Sequence, residues 1–149
     1  MLSAVLFFSC NSEKREVERI AQAYLDAETN FRVDEARPYV TGEEMTYVLD
    51  MIENFVLPNI SKEVLDSLTP NKVTIKETEL FGDTAIVSFH SKNLKNESDA
   101  QILMVRNDTT WLVIQQGEKV SRTPMPQPQP EAEVQPEQPT APADTTTKK

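Results

Sequence analysis

The sequence contains little cysteine, histidine or glycine, and each shortage excludes a class of site. Cys10 and His90 are the single residues of their kinds among 149. One cysteine forms no internal disulfide, and one cysteine with one histidine cannot supply the clustered ligands of a structural zinc site. Gly42, Gly82 and Gly117 lie too far apart for a glycine-rich phosphate-binding loop. We therefore expect no metal and no cofactor.

Positive charge and long apolar runs are also scarce. The chain has 15 Lys and Arg against 24 Asp and Glu, a formal net charge of −9. Because nucleic-acid binding depends on basic side chains that neutralise phosphates, this balance argues against a nucleic-acid partner. It argues equally against attraction to an anionic membrane surface. No apolar run approaches the ~20 residues that span a bilayer.

The C-terminal stretch 118–149 has no aromatic residue and seven of the ten prolines. Its net charge is −1, against −8 for residues 11–117. Such a segment cannot bury enough apolar surface to offset the entropy of ordering it. We expect a disordered Pro/Gln/Glu-rich tail that acts as an extended spacer, with ~3 Å of reach per residue.

The N-terminal run ends in a small residue, Ser9, directly before Cys10. This is the form of the apolar region and cleavage site of a secretory signal. The run resembles the lipobox of bacterial lipoproteins, although Phe7 stands where that family usually has Leu. The resemblance implies that Cys10 carries a lipid and becomes the first mature residue of a membrane-anchored envelope protein, periplasmic or surface-exposed. An apolar terminus with an ordinary buried cysteine is the alternative.

No Lys or Arg precedes this run, so we expect residues 1–9 to be the remnant of a signal peptide that starts further upstream. Residues 10–12 would then be the lipidated cysteine and a short link. Residues 13–117 would form one domain.

The first half of that domain shows helical periodicity. Ser12 is placed to cap a first helix, and a short second turn from Asp34 is limited by Pro38. Thr41 and Glu44 have capping-box spacing. The first helix is predicted from apolar residues at three- and four-residue spacing, namely Val17, Ile20, Ala21, Tyr24, Leu25 and Phe31.

Two further helices follow. The third is predicted to end at Pro58, with an apolar face formed by Met45, Val48, Leu49, Ile52 and Val56. Ser61 is placed to cap a last short helix that Pro70 closes.

From residue 72 the period changes to two, which predicts strands over about 72–80, 84–91, 100–106 and 111–116. Short links between consecutive strands indicate an antiparallel meander. Helices followed by strands indicate an α+β domain with the helices packed on one face of the sheet.

The last hairpin, residues 103–113, reads as a hydrophobic strand, a polar turn, Trp111 and a second hydrophobic strand. Together with the order of elements, it resembles the ending of small nuclear-transport-factor-2-like domains. In bacteria these are common as short lipoproteins of unknown function, some of them compared with lumazine-binding proteins. The resemblance implies that N-terminal helices pack on a curved four-stranded antiparallel sheet, which forms a cone with an apolar pocket.

The sequence offers few candidates for chemistry inside such a cone. Alternation places His90 on the face opposite Phe89, away from the helices. We therefore predict a non-enzymatic domain that binds a small ligand or a protein. The alternatives are an isomerase- or dehydratase-like enzyme and a pure envelope assembly subunit. The residues predicted to line a pocket, or else to form ordinary core, are Tyr24, Phe31, Tyr47, Phe89, Met104 and Trp111.

The last two strands are apolar on both faces, although one helical layer covers only one of them. Exposed apolar patches usually mark interfaces. The pattern predicts a homodimer through the outer sheet face, formed by Leu103, Val105, Leu112 and Ile114. A sheet bent strongly enough to cover its own second face is the alternative.

Overall fold

A computed structural model describes residues 7–121, with side chains from residue 11 onward. The predicted signal remnant and the lipid on the Cys10 side chain concern positions outside the described residues and side chains. Residues 122–149 of the predicted tail also lie outside the described residues. The elements are α1 (Phe7–Glu28), α2 (Val33–Ala36), a 3₁₀ turn (Arg37–Tyr39), α3 (Glu43–Met51), a π-helical turn (Ile52–Val56), α4 (Leu57–Asn59), α5 (Lys62–Leu68), β1 (Lys72–Phe81), β2 (Thr84–Lys92), β3 (Glu97–Asn107) and β4 (Thr110–Gly117).

The four strands form one antiparallel sheet in the order β1-β2-β3-β4, and helices pack on its inner face. The predicted α+β class and meander are therefore confirmed. α1 supplies the central stripe of the core, and its apolar side chains at three- and four-residue spacing are buried as the periodicity predicts. Phe31, which was predicted to continue this stripe, lies beyond the end of the helix at Glu28 and is only partly buried. Each large apolar side chain buried in this way stabilises the fold by about 1.5–3 kcal/mol.

A bulge in β4 changes which side chains face the helices. Met104 pairs with Val113 but Leu103 pairs with Gln115, so Ile114 is an extra residue in the strand. Strict alternation from Val113 would turn Gln115 inward. Because of the bulge, Gln116 instead pairs with the fully buried Ile102 and shares its inner face.

The N-terminal part of α1 is held against the β3–β4 hairpin. Arg106 forms an ion pair with Glu13, and its guanidinium lies 5.3 Å from the centre of the Trp111 ring. The predicted cap at Ser12 is wrong, because the helix already begins at Phe7 and Ser12 lies inside it.

The entry to α3 also differs from the prediction. Gly42 occupies the N-cap position with φ 86° and ψ 158°, and no side chain caps the helix. Thr41 instead donates its backbone N–H to the Val113 carbonyl at 2.9 Å, since residues 40 and 41 run along the edge of β4. The capping box predicted from Thr41 and Glu44 is therefore wrong: pairing with the sheet fixes the backbone here.

The later helical boundaries follow the sequence more closely. The helical chain passes the predicted end at Pro58 by one residue, because Pro58 lies in the first turn of α4, where a missing N–H is tolerated. The Ser61 hydroxyl accepts a hydrogen bond from the Val64 backbone N–H at 3.3 Å, which confirms the predicted cap of α5.

Substitutions at Gly42 and Thr41 distinguish the observed start of α3 from the predicted capping box. Gly42→Ala should lower the free energy of unfolding by about 1–3 kcal/mol, because the backbone conformation of Gly42 is almost restricted to glycine. Thr41→Ala should lower it by less than about 0.5 kcal/mol, because its bond to β4 uses the backbone. Urea denaturation of both variants measures the difference. A larger loss of stability in Thr41→Ala than in Gly42→Ala would support the capping box after all.

Candidate functional site

A depression of about 280 Å³ opens where α1 ends beside the sheet. Apolar side chains and uncharged polar groups line it together with one carboxyl group. This combination is typical of sites that bind small molecules. The lining residues are Glu28, Thr29, Phe31, Ile52, Asn71, Phe89, Ser91, Ser98, Ala100 and Gln116.

The C-terminus of α1 forms one wall of the depression through an unusual backbone conformation. The Phe31 N–H donates to the Glu28 carbonyl at 3.0 Å, and the Arg32 N–H donates to the Ala27 carbonyl at 2.9 Å. This is the Schellman pattern, in which the left-handed position usually holds glycine. Phe31 occupies it with φ 61°, at a cost of about 1–2 kcal/mol. Such strain concentrates at functional sites.

A chain of hydrogen bonds links the depression to the core. The buried Tyr24 hydroxyl donates to Gln116 Oε1 at 2.7 Å. Gln116 Nε2 in turn lies 3.4 Å from Glu28 Oε2 and donates to it. Burial raises the pKa of Glu28, and the hydrogen bond from Gln116 opposes this rise. Burial also raises the pKa of Tyr24, so its hydroxyl keeps its proton at neutral pH.

Two asparagines fasten the end of α1 to the start of β1. Asn71 donates its backbone N–H to Asn30 Oδ1 at 2.7 Å, and Asn30 Nδ2 donates to the Asn71 carbonyl at 3.1 Å. Asn71 Oδ1 is buried without a hydrogen-bond partner among the described residues. The clamp fixes the backbone of Asn71, which is part of the polar lining of the depression.

The structure separates the six residues predicted to line a pocket. Phe31 and Phe89 both line the depression, and Tyr24 reaches it only through the bond from its hydroxyl to Gln116. Met104 is fully buried in the core. Trp111 is also buried and lies against Arg106, near the beginning of α1.

Tyr47 is not brought to the depression: 64% of it is exposed on α3. The reason is helical geometry, because Met45 and Leu49 are the buried residues of α3 and Tyr47 lies two positions from each.

His90 lies on the outer face of the sheet, as alternation predicts. Its Nδ1 is 2.8 Å from Asp99 Oδ1 and its Nε2 is 2.8 Å from Glu97 Oε1. These partners belong to the paired strand β3, and none of the three residues lines the depression. An active site that uses His90 inside the cone is therefore incompatible with this geometry.

Glu28 and Gln116 line the depression but were not among the residues predicted from the sequence. Glu28 follows Tyr24 by four residues and so continues the inward stripe of α1, a signal that could have identified it. Gln116 had no such signal, because its inward orientation depends on the bulge at Ile114.

The four side chains of the predicted dimer interface are buried or half-buried. Leu103 is 4% exposed, while Val105, Leu112 and Ile114 are half-buried. A homodimer through this face stays a prediction, and these side chains offer it little exposed apolar area. The more exposed large apolar side chains lie elsewhere, and Leu94 and Phe55 are among them.

Comparisons with solved structures identify the fold. No protein-family model and no curated relative matches the sequence. A solved nuclear-transport-factor-2-like protein of unknown function from Shewanella baltica OS155 superimposes on the chain with a TM-score of 0.54 at 11% identity. The match covers 76% of this chain and 94% of that protein. The chain has the nuclear-transport-factor-2-like fold.

Two further solved structures share this nuclear-transport-factor-2-like fold. A proposed nuclear-transport-factor-2-like transpeptidase from Campylobacter jejuni gives a TM-score of 0.50 at 21% identity, covering 66% of this chain and 97% of its own. A protein of unknown function from Shewanella oneidensis MR-1 gives 0.50 at 17% identity, covering 68% and 95%. At these identities the likeness concerns the fold alone.

Among the helices within residues 7–121, none combines the length and the apolar character that a membrane crossing requires.

The raised pKa of Glu28 predicts how stability depends on pH. The folded state holds this proton more tightly than the unfolded state, whose pKa is about 4.5. The free energy of unfolding should therefore fall as pH rises from about 4.5 through the folded pKa, and stay lower above it. Glu28→Gln should be more stable than the natural protein at pH 7, with a smaller difference at pH 4.

Urea denaturation at the two pH values measures this effect. Glu79→Gln removes a carboxylate from an exposed position of β1 and serves as the matched control. Its stability should stay within about 0.5 kcal/mol of the natural protein at both pH values. A Glu28→Gln variant that is less stable than the natural protein at pH 7 would contradict the assigned burial effect.

Proposed function

We propose that this protein is a lipid-anchored component of the bacterial cell envelope whose nuclear-transport-factor-2-like domain binds a small ligand without chemical turnover. The convergence of Phe31, Phe89 and Glu28 in one depression is the observation that carries the binding function. An aromatic surface beside a few oriented polar groups both buries a ligand and fixes its orientation.

The helix α1 supports the placement of this site relative to the membrane. It runs from the segment that contains Cys10 to Glu28 without a break. At a rise of about 1.5 Å per residue, these two positions are about 27 Å apart along the axis. A lipid on Cys10 would hold the N-terminal end of α1 at the membrane surface, so the depression would open at the distal end of the domain.

The side chains of the depression favour binding over catalysis. An isomerase or dehydratase combines an acid or base with a second proton-transferring group around the substrate. Of the described lining residues, Glu28 alone titrates. The Tyr24 hydroxyl is buried and donates to Gln116, and His90 lies on the other sheet face. We therefore assign the polar groups to orientation of the ligand.

The proposed anchor predicts a covalent change at one residue. In the native host, the natural protein should be recovered in the membrane fraction, without residues 1–9 and with an acyl modification on Cys10. Cys10→Ser should abolish the lipid and the cleavage, whereas Ser9→Ala keeps a small residue before the cysteine and should be processed normally. Intact mass spectrometry measures both. Natural protein that retains residues 1–9 and carries no acyl chain would refute the anchor.

The proposed binding function predicts that blocking the depression removes a bound molecule. Ser98→Trp places a bulky side chain in the lining, and Asp99→Trp places the same side chain at the next residue, on the opposite sheet face. Native mass spectrometry of protein isolated from the host envelope should show a small-molecule adduct on the natural protein and on Asp99→Trp. The adduct should be lost from Ser98→Trp. Equal adducts on both variants, or none on the natural protein, would refute binding at this depression.

A further inference from the structure

The depression brings together one acidic group and no basic group. Glu28 is the charged member of the described lining, which contains no Lys or Arg. Within residues 11–121 no basic side chain forms an ion pair with Glu28, and its hydrogen-bond donor is the neutral amide of Gln116 at 3.4 Å. Because a carboxylate that is removed from water is ordinarily paired with a cation, the partly buried Glu28 favours a counter-ion that the ligand provides.

The surrounding electrostatics reinforce the same preference. Glu28 lies at the C-terminus of the 22-residue helix α1, where the helix dipole adds partial negative charge. The nearby Arg32 does not neutralise it. Its guanidinium donates to the Asp26 carbonyl at 2.9 Å and forms an ion pair with Glu35 at 3.4 Å. Residues 11–117 carry a net charge of −8, which attracts cations at longer range.

The aromatic residues of the depression indicate the kind of cation. Phe31, which is partly exposed, and Phe89, a core residue that is 3% exposed, line the depression that contains the carboxyl group, and aromatic faces attract organic ammonium groups. The Schellman ending of α1 fixes the backbone of Phe31 at this position. Among the described side chains, no group of three or more His, Cys, Asp or Glu residues could hold a metal ion. The geometry therefore fits an organic cation better than a metal.

We propose that the ligand of this depression carries an organic ammonium group, which pairs with the Glu28 carboxylate and lies against Phe31 and Phe89. This inference rests on the proposed binding function, because it names the ligand class of the same site. An ammonium group would also favour the ionised form of Glu28, whose pKa burial raises.

Two probes of nearly identical shape test the charge of the ligand. Choline carries a trimethylammonium group, and 3,3-dimethylbutan-1-ol replaces its nitrogen with carbon. In ¹H–¹⁵N NMR titrations of the full chain, choline should shift the amides of residues 28, 89, 100 and 116 saturably. The neutral alcohol should bind at least about tenfold more weakly. Glu28→Gln should remove most of this preference and leave only the part that the aromatic rings provide, whereas Glu79→Gln, which deletes the same charge elsewhere, should retain it in full.

The outcomes separate this inference from the proposed function. If both probes shift the same amides with equal affinity, the depression binds small molecules and the ammonium assignment is wrong. If choline causes no saturable shift, the ammonium assignment is also wrong, and the envelope adduct test on Ser98→Trp and Asp99→Trp decides the binding function separately. A choline preference that is undiminished in Glu28→Gln would refute the role of the carboxylate.

Discussion

The packing of α1 on the inner face of the sheet is the interaction on which the rest of the molecule depends. Its buried stripe unites the strands and the shorter helices into one core. The same helix connects the segment of the predicted lipid anchor with the depression at its other end. Arg106, which contacts Glu13 and Trp111, fastens the first half of the helix, and the Asn30–Asn71 clamp fastens the second. A rigid helix therefore sets both the position and the orientation of the site.

The site is built from local departures from ideal structure. The bulge at Ile114 turns Gln116 inward, and the left-handed backbone at Phe31 ends α1 with an aromatic ring where glycine is usual. The partly buried carboxyl of Glu28 lies at the unfavourable end of a helix dipole. Gln116, Phe31 and Glu28 all line the same depression. This concentration is what a binding site maintained at the expense of stability would show.

Much of the fold could be predicted from the sequence because periodicity and proline positions report local geometry. The stripe of α1, the cap at Ser61 and the four strands followed from these signals. The caps at Ser12 and Thr41 were predicted wrongly, since the first depends on where the helix begins and the second on pairing with β4. Gln116 could not be predicted, because a bulge arises from the fit of two strands and shifts every later side chain by one position.

The charge distribution of the depression is consistent with the proposed binding of an organic cation. Glu28 is the one titratable group among the described lining residues, and its carboxylate can hold and orient a cation. The buried Tyr24 hydroxyl fixes the amide of Gln116, and that amide orients Glu28, so the polar chain has a defined direction from the core to the depression. Preorganisation of this kind lowers the entropic cost of binding. It explains why a small, acidic domain would keep the Glu28 carboxyl group partly buried without a basic partner among the described residues.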